Sequence, residues 1–366
     1  MKIHVVSFQV PYPADYGGAI DVFYKLKALF EEGFDVVLHT FMYGGRHEED
    51  VLNGICSKVY YYPRETGWRK QFSLLPYIVA TRSCPQLLIN LCKDDAPILF
   101  EGLHTCFYLD HPLLANRKKI VRMHNVEHEY YRCLASHAGW NWKSVYYLVE
   151  SWKLKRFEKK KLCHADLICA ITKGEKTKLE QMVKGVEHVH LPVFFDTTFP
   201  TPMPTSRFVL YHGNLAVEEN RQAVDFILRH IAPRLPGVLF VIAGRNPRFN
   251  NVPRNVQVIA DPTDEHLDLL LRTARIHLML AFQPTGIKLK LINAIVRGNG
   301  HILANHDMLY GHSLGRFCIR VDKTQDIIDN ISNLINNELE DDCMEKRKLY
   351  IQKMKKGGIS RLSLFK

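Results

Sequence analysis

Apolar runs of strand length alternate with amphipathic segments along almost the whole chain. Ile3 to Phe8, Asp35 to Phe41, Lys58 to Tyr62, Ile98 to Phe100 and Ile120 to Met123 have the length and side-chain character of buried strands. Between the first two, Ala19 to Glu32 repeats Val22, Phe23, Leu26, Leu29 and Phe30 on one helical face. A long helical stretch from Trp142 to Cys163 follows, then a strand at Leu167 to Ile171, a helix at Lys173 to Val183 and a strand at His188 to Leu191. That succession predicts a doubly wound parallel sheet.

Asp196 to Ser206, DTTFPTPMPTS, interrupts the pattern, because its prolines remove backbone donors and oppose regular structure. Beyond it the alternation restarts with strand Phe208 to His212, helix Glu219 to His230, strands Leu239 to Ala243 and Val256 to Ile259, and helix Asp264 to Thr273. A strand at Phe317 to Val321 and a helix from Thr324 to Asn336 close this half. Two Rossmann-like domains are predicted, residues 1–195 and 207–339, joined by a linker at 196–206. The remaining residues, 340–366, read as a helix ending at Gly357-Gly358 and a basic tail.

The second half is organised around Ala281 to Asn305, which lies between the strand Ile276 to Leu280 and the strand His301 to Ala304. The turn Pro284-Thr285-Gly286 predicts a helix start, and Leu289, Ile292, Ile295 and Val296 give that helix a core face. Lys288 and Lys290 then stand at its first turns beside backbone N–H groups that no helical carbonyl satisfies. Such an end attracts anions, and two ammonium groups strengthen it, so it suits a phosphate-bearing ligand. The competing reading is a surface helix with two solvated lysines.

Composition narrows the class. At 366 residues, 46% hydrophobic and 24% charged, the chain suits two soluble domains of roughly 150 to 200 residues each. No apolar run approaches the roughly 18 residues of a membrane span, and the strand-like KIHVVSF start is not a signal peptide, so a cytoplasmic protein is expected. Nine cysteines without a C-x-x-C pair argue against a disulfide framework or a thiolate zinc site. The formal charge of +11 points to anionic partners: nucleotides, nucleic acid or an acidic membrane surface.

In open parallel sheets, ligands bind beyond the carboxyl ends of the strands. After the first strand, Asp15-Tyr16-Gly17-Gly18 leads into a helix, and its glycines let backbone N–H groups approach a phosphate. Neither a dinucleotide fingerprint nor a Walker loop is present. Tyr211-His212-Gly213-Asn214-Leu215 holds the equivalent place in the second half, and Arg245 ends the next strand. Arg122-Met123-His124-Asn125-Val126-Glu127-His128-Glu129 is the densest polar cluster, and Glu101 stands at a neighbouring strand end. His124 to His128 spells H-x-x-E-H, the inverted zinc-protease order, but that site needs both histidines in one helix and His124 is expected at a strand end. Imidazole, amide and carboxylate are equally the groups that hold sugar hydroxyls and a developing positive charge. Trp140, Trp142 and Trp152 lie among Lys143, Lys155 and Arg156, and Trp68 lies beside Arg69 and Lys70. That mixture suits an anionic membrane surface, single-stranded nucleic acid, or a long helix with a wet basic face.

Together these motifs resemble a GT-B-fold glycosyltransferase, similar to family 4 (glycosyl transferases group 1). The resemblance rests on Pro13 to Gly18, RMHNVEHEYY at Arg122 to Tyr131, YHGNL at Tyr211 to Leu215 with Asn220, FVIAGRNP at Phe240 to Pro247, and PTGIKLKLINAI followed by RGNGHILAN. It implies an α/β fold of two Rossmann-like domains facing a central cleft. A nucleotide-diphosphate sugar would be held mainly by the second domain and an acceptor mainly by the first, with no cofactor and no metal. By that resemblance His124, Glu127 and Lys288 would be catalytic. Gly17, Gly18, Gly213, Asn214, Arg245, Thr285, Gly286, Lys288, Lys290 and Asn293 would hold the donor. Asp15, Glu101 and Asn125 would meet the acceptor, and residues 340–366 would cross back to the first domain.

One departure stands out, since the family's E-x7-E motif aligns its two glutamates with Thr285 and Asn293. The expected activity is sugar transfer from a UDP- or GDP-sugar to a saccharide or lipid-linked acceptor, with retention at the anomeric carbon and no nucleic-acid partner. Alternatives are a sugar-nucleotide-binding protein without activity and a sugar-nucleotide epimerase of the same fold.

Overall fold

The computed structural model describes residues 1–366 apart from 138, 140, 248, 250, 284–287 and 312. The chain forms two compact units, Met1–Asp196 with Met354–Lys366, and Thr197–Lys353.

The first unit is built on β1 (Lys2–Ser7), β2 (Asp35–Met42), β3 (Lys58–Pro63), β4 (Ile98–Glu101), β5 (Lys119–Met123), β6 (Leu167–Ala170) and β7 (Glu187–His190). These seven strands form one parallel sheet in the order β3-β2-β1-β4-β5-β6-β7. Residues two apart share a face. Val5, Leu38 and Leu99 accordingly pack on one side, and Val6, Phe41 and Phe100 on the other. Its helices are α1 (Gly17–Glu31), α2 (Asp50–Asn53), α3 (Tyr77–Ala80), α4 (Pro85–Leu91), α5 (Glu127–His137), α6 (Trp142–Lys161) and α7 (Lys173–Met182). α1 forms where predicted, and Val22, Leu26 and Leu29 on its inner face are almost wholly buried.

The second unit contains β8 (Ser206–Asn214), β9 (Leu239–Arg245), β10 (Val256–Ala260), β11 (Ala274–Met279), β12 (His301–Ala304) and β13 (Ile319–Arg320), parallel in the order β10-β9-β8-β11-β12-β13. Its helices are α8 (Glu218–Phe226), α9 (Asp264–Thr273), α10 (Leu289–Val296), α11 (His306–Leu309) and α12 (Thr324–Leu334). α8 runs on as a π-helical turn, Ile227–Ile231.

Three elements differ from the sequence reading. The strand expected over Phe317 to Val321 shrinks to β13, because Ser313–Phe317 is taken by a 3-10 turn. The core face of α10 is Leu291, Ile292, Ile295 and Val296, with Leu289 only partly buried. The last helix, α13 (Asp341–Arg361), does not stop at Gly357-Gly358 but runs through both. Gly358 lies against Pro192 and Phe194, where a Cβ would make only ordinary contacts, at 3.6 and 3.5 Å. At the other end of α13 Arg347 is buried and donates to the carbonyls of Gly298 and Gly300, each at 2.9 Å.

Candidate functional site

In each sheet the strand order turns back once, between β1 and β4 in the first unit and between β8 and β11 in the second. Loops leaving the carboxyl ends at such a point flank the natural ligand position of the fold.

In the first unit those loops carry Phe8 after β1, His104 after β4, and His124 with Asn125 after β5. The Phe8 ring lies 5.2 Å from the His104 ring and 5.4 Å from the His124 ring. His124 Nε2 is 3.0 Å from Glu101 Oε2. Among the described residues, His124 Nδ1, His104 Nδ1 and Asn125 Oδ1 are buried without a hydrogen-bond partner. Buried polar atoms are nearly always paired, so three such atoms at adjacent strand ends mark a place where a water or a ligand hydroxyl would complete the pairing.

An ionic network lies beneath this lining. Lys25 Nζ is 3.0 Å from Asp21 Oδ2 and 3.0 Å from Glu101 Oε2. Arg122 donates to both oxygens of Asp21, at 3.3 and 3.2 Å, and also to the carbonyls of Leu191 and Pro192. Burial alone pushes the Asp21 carboxyl up, but Arg122 and then Lys25 draw it well below the usual range. Glu101 is likewise raised by burial and lowered on balance by Lys25 and His124. The network therefore fixes Glu101 as an anion, and Glu101 fixes the His124 ring. Asp21, Glu101 and His124 bring three metal-ligand atoms together, yet Lys25 and Arg122 already bind the carboxylates.

Glu127 opens α5 and is almost wholly buried. Burial, and after it the neighbouring Glu158, push its carboxyl up to about 8, so at neutral pH it keeps its proton and can donate a hydrogen bond. Glu158 reaches from α6 to accept the backbone N–H groups of Glu127, at 2.7 Å, and His128, at 3.4 Å, and its other oxygen is 2.5 Å from His128 Nδ1. It serves as a cap supplied from another helix. Nearby, buried Arg82 donates to the carbonyls of Phe8 and Ile78, at 2.8 and 2.5 Å, and Arg64 stacks on Tyr43 at 4.3 Å. Among the described residues neither guanidinium pairs with a carboxylate, and desolvation together with Arg64 draws Arg82 down to about 10.

In the second unit the ends of β8 and β9 meet backbone to backbone: a Cβ on Gly244 would fall 1.9 Å from the Gly213 carbonyl oxygen. Lys290 reaches across from α10 and donates to Tyr211 Oη at 3.0 Å, Asn220 Oδ1 at 2.8 Å and the Leu280 carbonyl at 3.1 Å. Asn220 in turn donates to the Asn214 carbonyl at 2.8 Å, so one lysine ties α10, α8 and β8 together. Burial draws Lys290 down to about 8, against the pull of Glu219. Lys288 is also buried; it donates to the Gln283 carbonyl at 2.6 Å and lies 3.5 Å from Glu219 Oε1. Asn305 clamps the loop after β11, accepting from Ala281 N at 3.0 Å and donating to its carbonyl at 2.6 Å.

The sequence-predicted residues thus fall into two groups. His124, Asn125 and Glu127 come together in the first unit, and Gly213, Asn214, Lys288 and Lys290 in the second, where Arg245 is exposed at the end of β9 and Asn293 is partly buried on α10. Lys288 and Lys290 are not the two solvated lysines of the competing reading. Thr285 and Gly286, with the rest of the turn expected to open α10, lie outside the described residues. Glu101, expected at the acceptor, is fully buried and held by Lys25 and His124. Gly17 and Gly18 open α1, but a Cβ on Gly18 would come 2.7 Å from Phe8, so its lack of a side chain serves that ring. Asp15 pairs with Arg46. The H-x-x-E-H reading fails on geometry: His124 follows β5, His128 lies in α5, and each is bound to a different carboxylate. Asp21, Lys25 and Glu158 were not anticipated. The first two left a legible trace, an acid and a base four apart amid the apolar face of α1.

No protein-family model matches the chain. It is 27% identical over 320 residues to an uncharacterized 44.6 kDa protein in the cps region of Klebsiella pneumoniae, covering 80% of each. Among solved structures, TarM matches with a TM-score of 0.69 at 12% identity, over 100% of this chain and 98% of that one. A mutant of S. aureus TarM in complex with fondaparinux, α-GlcNAc-glycerol and UDP matches with a TM-score of 0.64 at 12% identity, over 100% and 99%. Sucrose-phosphate synthase from Thermosynechococcus elongatus matches with 0.64 at 13% identity, over 100% and 94%. With parallel sheets of seven and six strands in its two units and these structures matching it end to end, the chain has the GT-B fold.

Proposed function

We propose that this protein is a glycosyltransferase that moves a sugar from a nucleotide-diphosphate sugar, UDP- or GDP-linked, to a hydroxyl of a saccharide or lipid-linked acceptor. The observation that carries the reading is the set of buried, unpartnered polar atoms on His104, His124 and Asn125 at adjacent strand ends, a lining for hydroxyl groups. The lysines gathered at α10 in the second unit give the reading its cationic counterpart, suited to a diphosphate. UDP in a TarM complex supports a nucleotide donor, and the relative in a cps region supports a role in cell-surface polysaccharide synthesis.

In this proposal the diphosphate lies against the ends of β8 and β9 and the start of α10, with Arg245, Lys288 and Lys290 as its cations and Asn293 toward the ribose. Bond cleavage concentrates negative charge on the leaving diphosphate, so cations and backbone N–H groups already in place lower the barrier without reorganising. The leaving oxygen itself takes the acceptor proton, configuration is retained, and no metal is needed. His124, oriented by Glu101, and the protonated Glu127 hold hydroxyls of the sugars near the reacting carbon.

The test is a transfer assay with UDP- and GDP-sugars and oligosaccharide or lipid-linked acceptors, reading nucleotide-diphosphate release and product linkage, with and without EDTA. Lys288→Ala is expected to cut turnover by at least about a hundredfold, the scale of losing one transition-state charge contact. Cys92→Ala, at an exposed cysteine, is the control and leaves turnover unchanged. Equal losses in both variants would sink the assignment, and an epimerised sugar nucleotide formed without acceptor would replace it with the epimerase reading.

A further inference from the structure

α6 mixes apolar and charged residues on both faces. Glu150, Lys153 and Glu158 are buried on its inner face beside the core residues Leu154 and Phe157, while Trp142, Val145, Leu148, Val149 and Trp152 face out. Trp142 is 73% exposed and Val145 61%, far more than an amphipathic helix of a globular protein leaves to water. The inward charges are satisfied: Glu150 accepts the Tyr77 N–H at 2.7 Å and pairs with Lys153 at 2.8 Å, and Glu158 caps α5. This orientation is therefore fixed by hydrogen bonds.

A second apolar group sits alongside. Lys153 Nζ donates to the Gln71 carbonyl at 3.1 Å, and with the Tyr77 contact this holds residues 68–77 against the same helix. There Trp68, Phe72 and Leu74 are 67%, 79% and 89% exposed. The outward face of α6 continues toward its carboxyl end as Lys155, Arg156, Lys159 and Lys160, all exposed, and both acids of the helix are buried. Arg156 stacks on Trp152 at 4.9 Å and Arg69 on Trp68 at 5.7 Å.

We infer that this face of the first unit docks on an anionic lipid bilayer, with Trp68, Phe72, Leu74, Trp142 and Trp152 entering the interface and Lys155, Arg156, Lys159 and Lys160 meeting lipid phosphates. Tryptophan beside basic residues is the composition that partitions to a bilayer interface, and cations add attraction only where lipid headgroups are anionic. A second copy of the chain is the poorer occupant, since pairing this face with itself opposes like charges over the whole basic half. The inference goes beyond the sugar-transfer reading and does not depend on it, because docking is read without donor or acceptor.

Three of the chain's four tryptophans, Trp68, Trp142 and Trp152, are exposed in this region, so quenching of intrinsic fluorescence reports on its docking. The full-length protein would be floated with phosphatidylcholine vesicles with and without phosphatidylglycerol, at low and high salt, and its emission quenched with brominated acyl chains. Flotation with the anionic vesicles only, with quenching, is the expected result. The exposed-site variant Trp68→Ser/Phe72→Ser/Trp152→Ser is expected to abolish quenching. Lys155→Gln/Arg156→Gln is expected to weaken binding at low salt by on the order of tenfold. No flotation with anionic vesicles overturns the inference. Flotation that the apolar variant leaves unchanged moves docking to another face, and self-association that the same variant abolishes assigns the face to a second copy. Transfer activity on a soluble acceptor is measured in parallel; it is expected to persist in both variants, so that failure of docking and failure of the sugar-transfer reading give different results.

Discussion

Glu127 and Lys290 are the residues whose protonation the fold changes most usefully, and they change it in opposite senses. Burial, then Glu158, raise the Glu127 carboxyl to about 8, whereas in the unfolded chain it ionises near about 4.3. The folded state binds the extra proton between those values, so the stabilising contribution is full below the lower one and lost as pH rises through the upper one. Glu127→Gln is expected to flatten the fall in stability between about pH 6 and pH 9 by a few kcal/mol, read from urea midpoints across that range. Glu175, raised to about 7 mainly by burial, keeps a residual slope of the same sign in both proteins. Identical slopes would contradict the assignment of that proton to Glu127. Lys290 is drawn down to about 8 by burial, and a bound diphosphate favours its charged form. Nucleotide binding near pH 8 is therefore expected to take up a proton, visible as a dependence of the calorimetric heat on buffer ionisation enthalpy, and Lys290→Met is expected to remove that dependence. In the sequence, His124 and Glu127 were legible as polar residues after a strand end, and Lys288 and Lys290 as cations at the first turns of a helix. Their settings were not: Arg122 reaches Asp21 across 101 positions and Glu158 caps Glu127 from 31 away, distances over which a sequence carries no pairing signal.

At the scale of elements, strands and long helices followed from hydrophobic period, while α5 and the short helices α2 to α4 did not stand out from the polar cluster around them. At the start of α5 the N–H groups of Glu127 and His128 are taken by Glu158 from α6. Glu158→Ala is expected to cost about 2 to 3 kcal/mol, the loss of a cap together with buried hydrogen bonds, measured by denaturant unfolding. A change below about 0.5 kcal/mol, the level of an ordinary surface substitution, would show that the cap carries no load. Where β8 and β9 close on each other, Gly244→Ala puts a methyl group into the Gly213 carbonyl. That substitution is expected to destabilise the second unit and, under the proposed function, to weaken nucleotide binding as well, since the proposal sets the same strand end against the diphosphate. The orientation of α6 was beyond the sequence, because both of its faces mix apolar and charged residues and only the partners of Glu150, Lys153 and Glu158 choose between them.

On the scale of the whole molecule, two parallel sheets that each turn back once supply two strand-end surfaces of different character. One is lined by imidazole, amide and carboxyl groups; the other gathers Lys288, Lys290 and Arg245. A net charge of +11 complements anionic ligands on either. No helix among the described residues is long and apolar enough to cross a membrane. Binding of a nucleotide diphosphate by the second unit is tested by thermal unfolding with UDP, GDP and their sugar conjugates. A ligand that binds only the folded state raises the midpoint by mass action, by a few degrees at about a hundred times its dissociation constant. Such a rise is expected with one nucleotide and its sugar conjugates, lost in Lys288→Ala and kept in Cys92→Ala; no rise with any of them at millimolar concentration would contradict nucleotide binding.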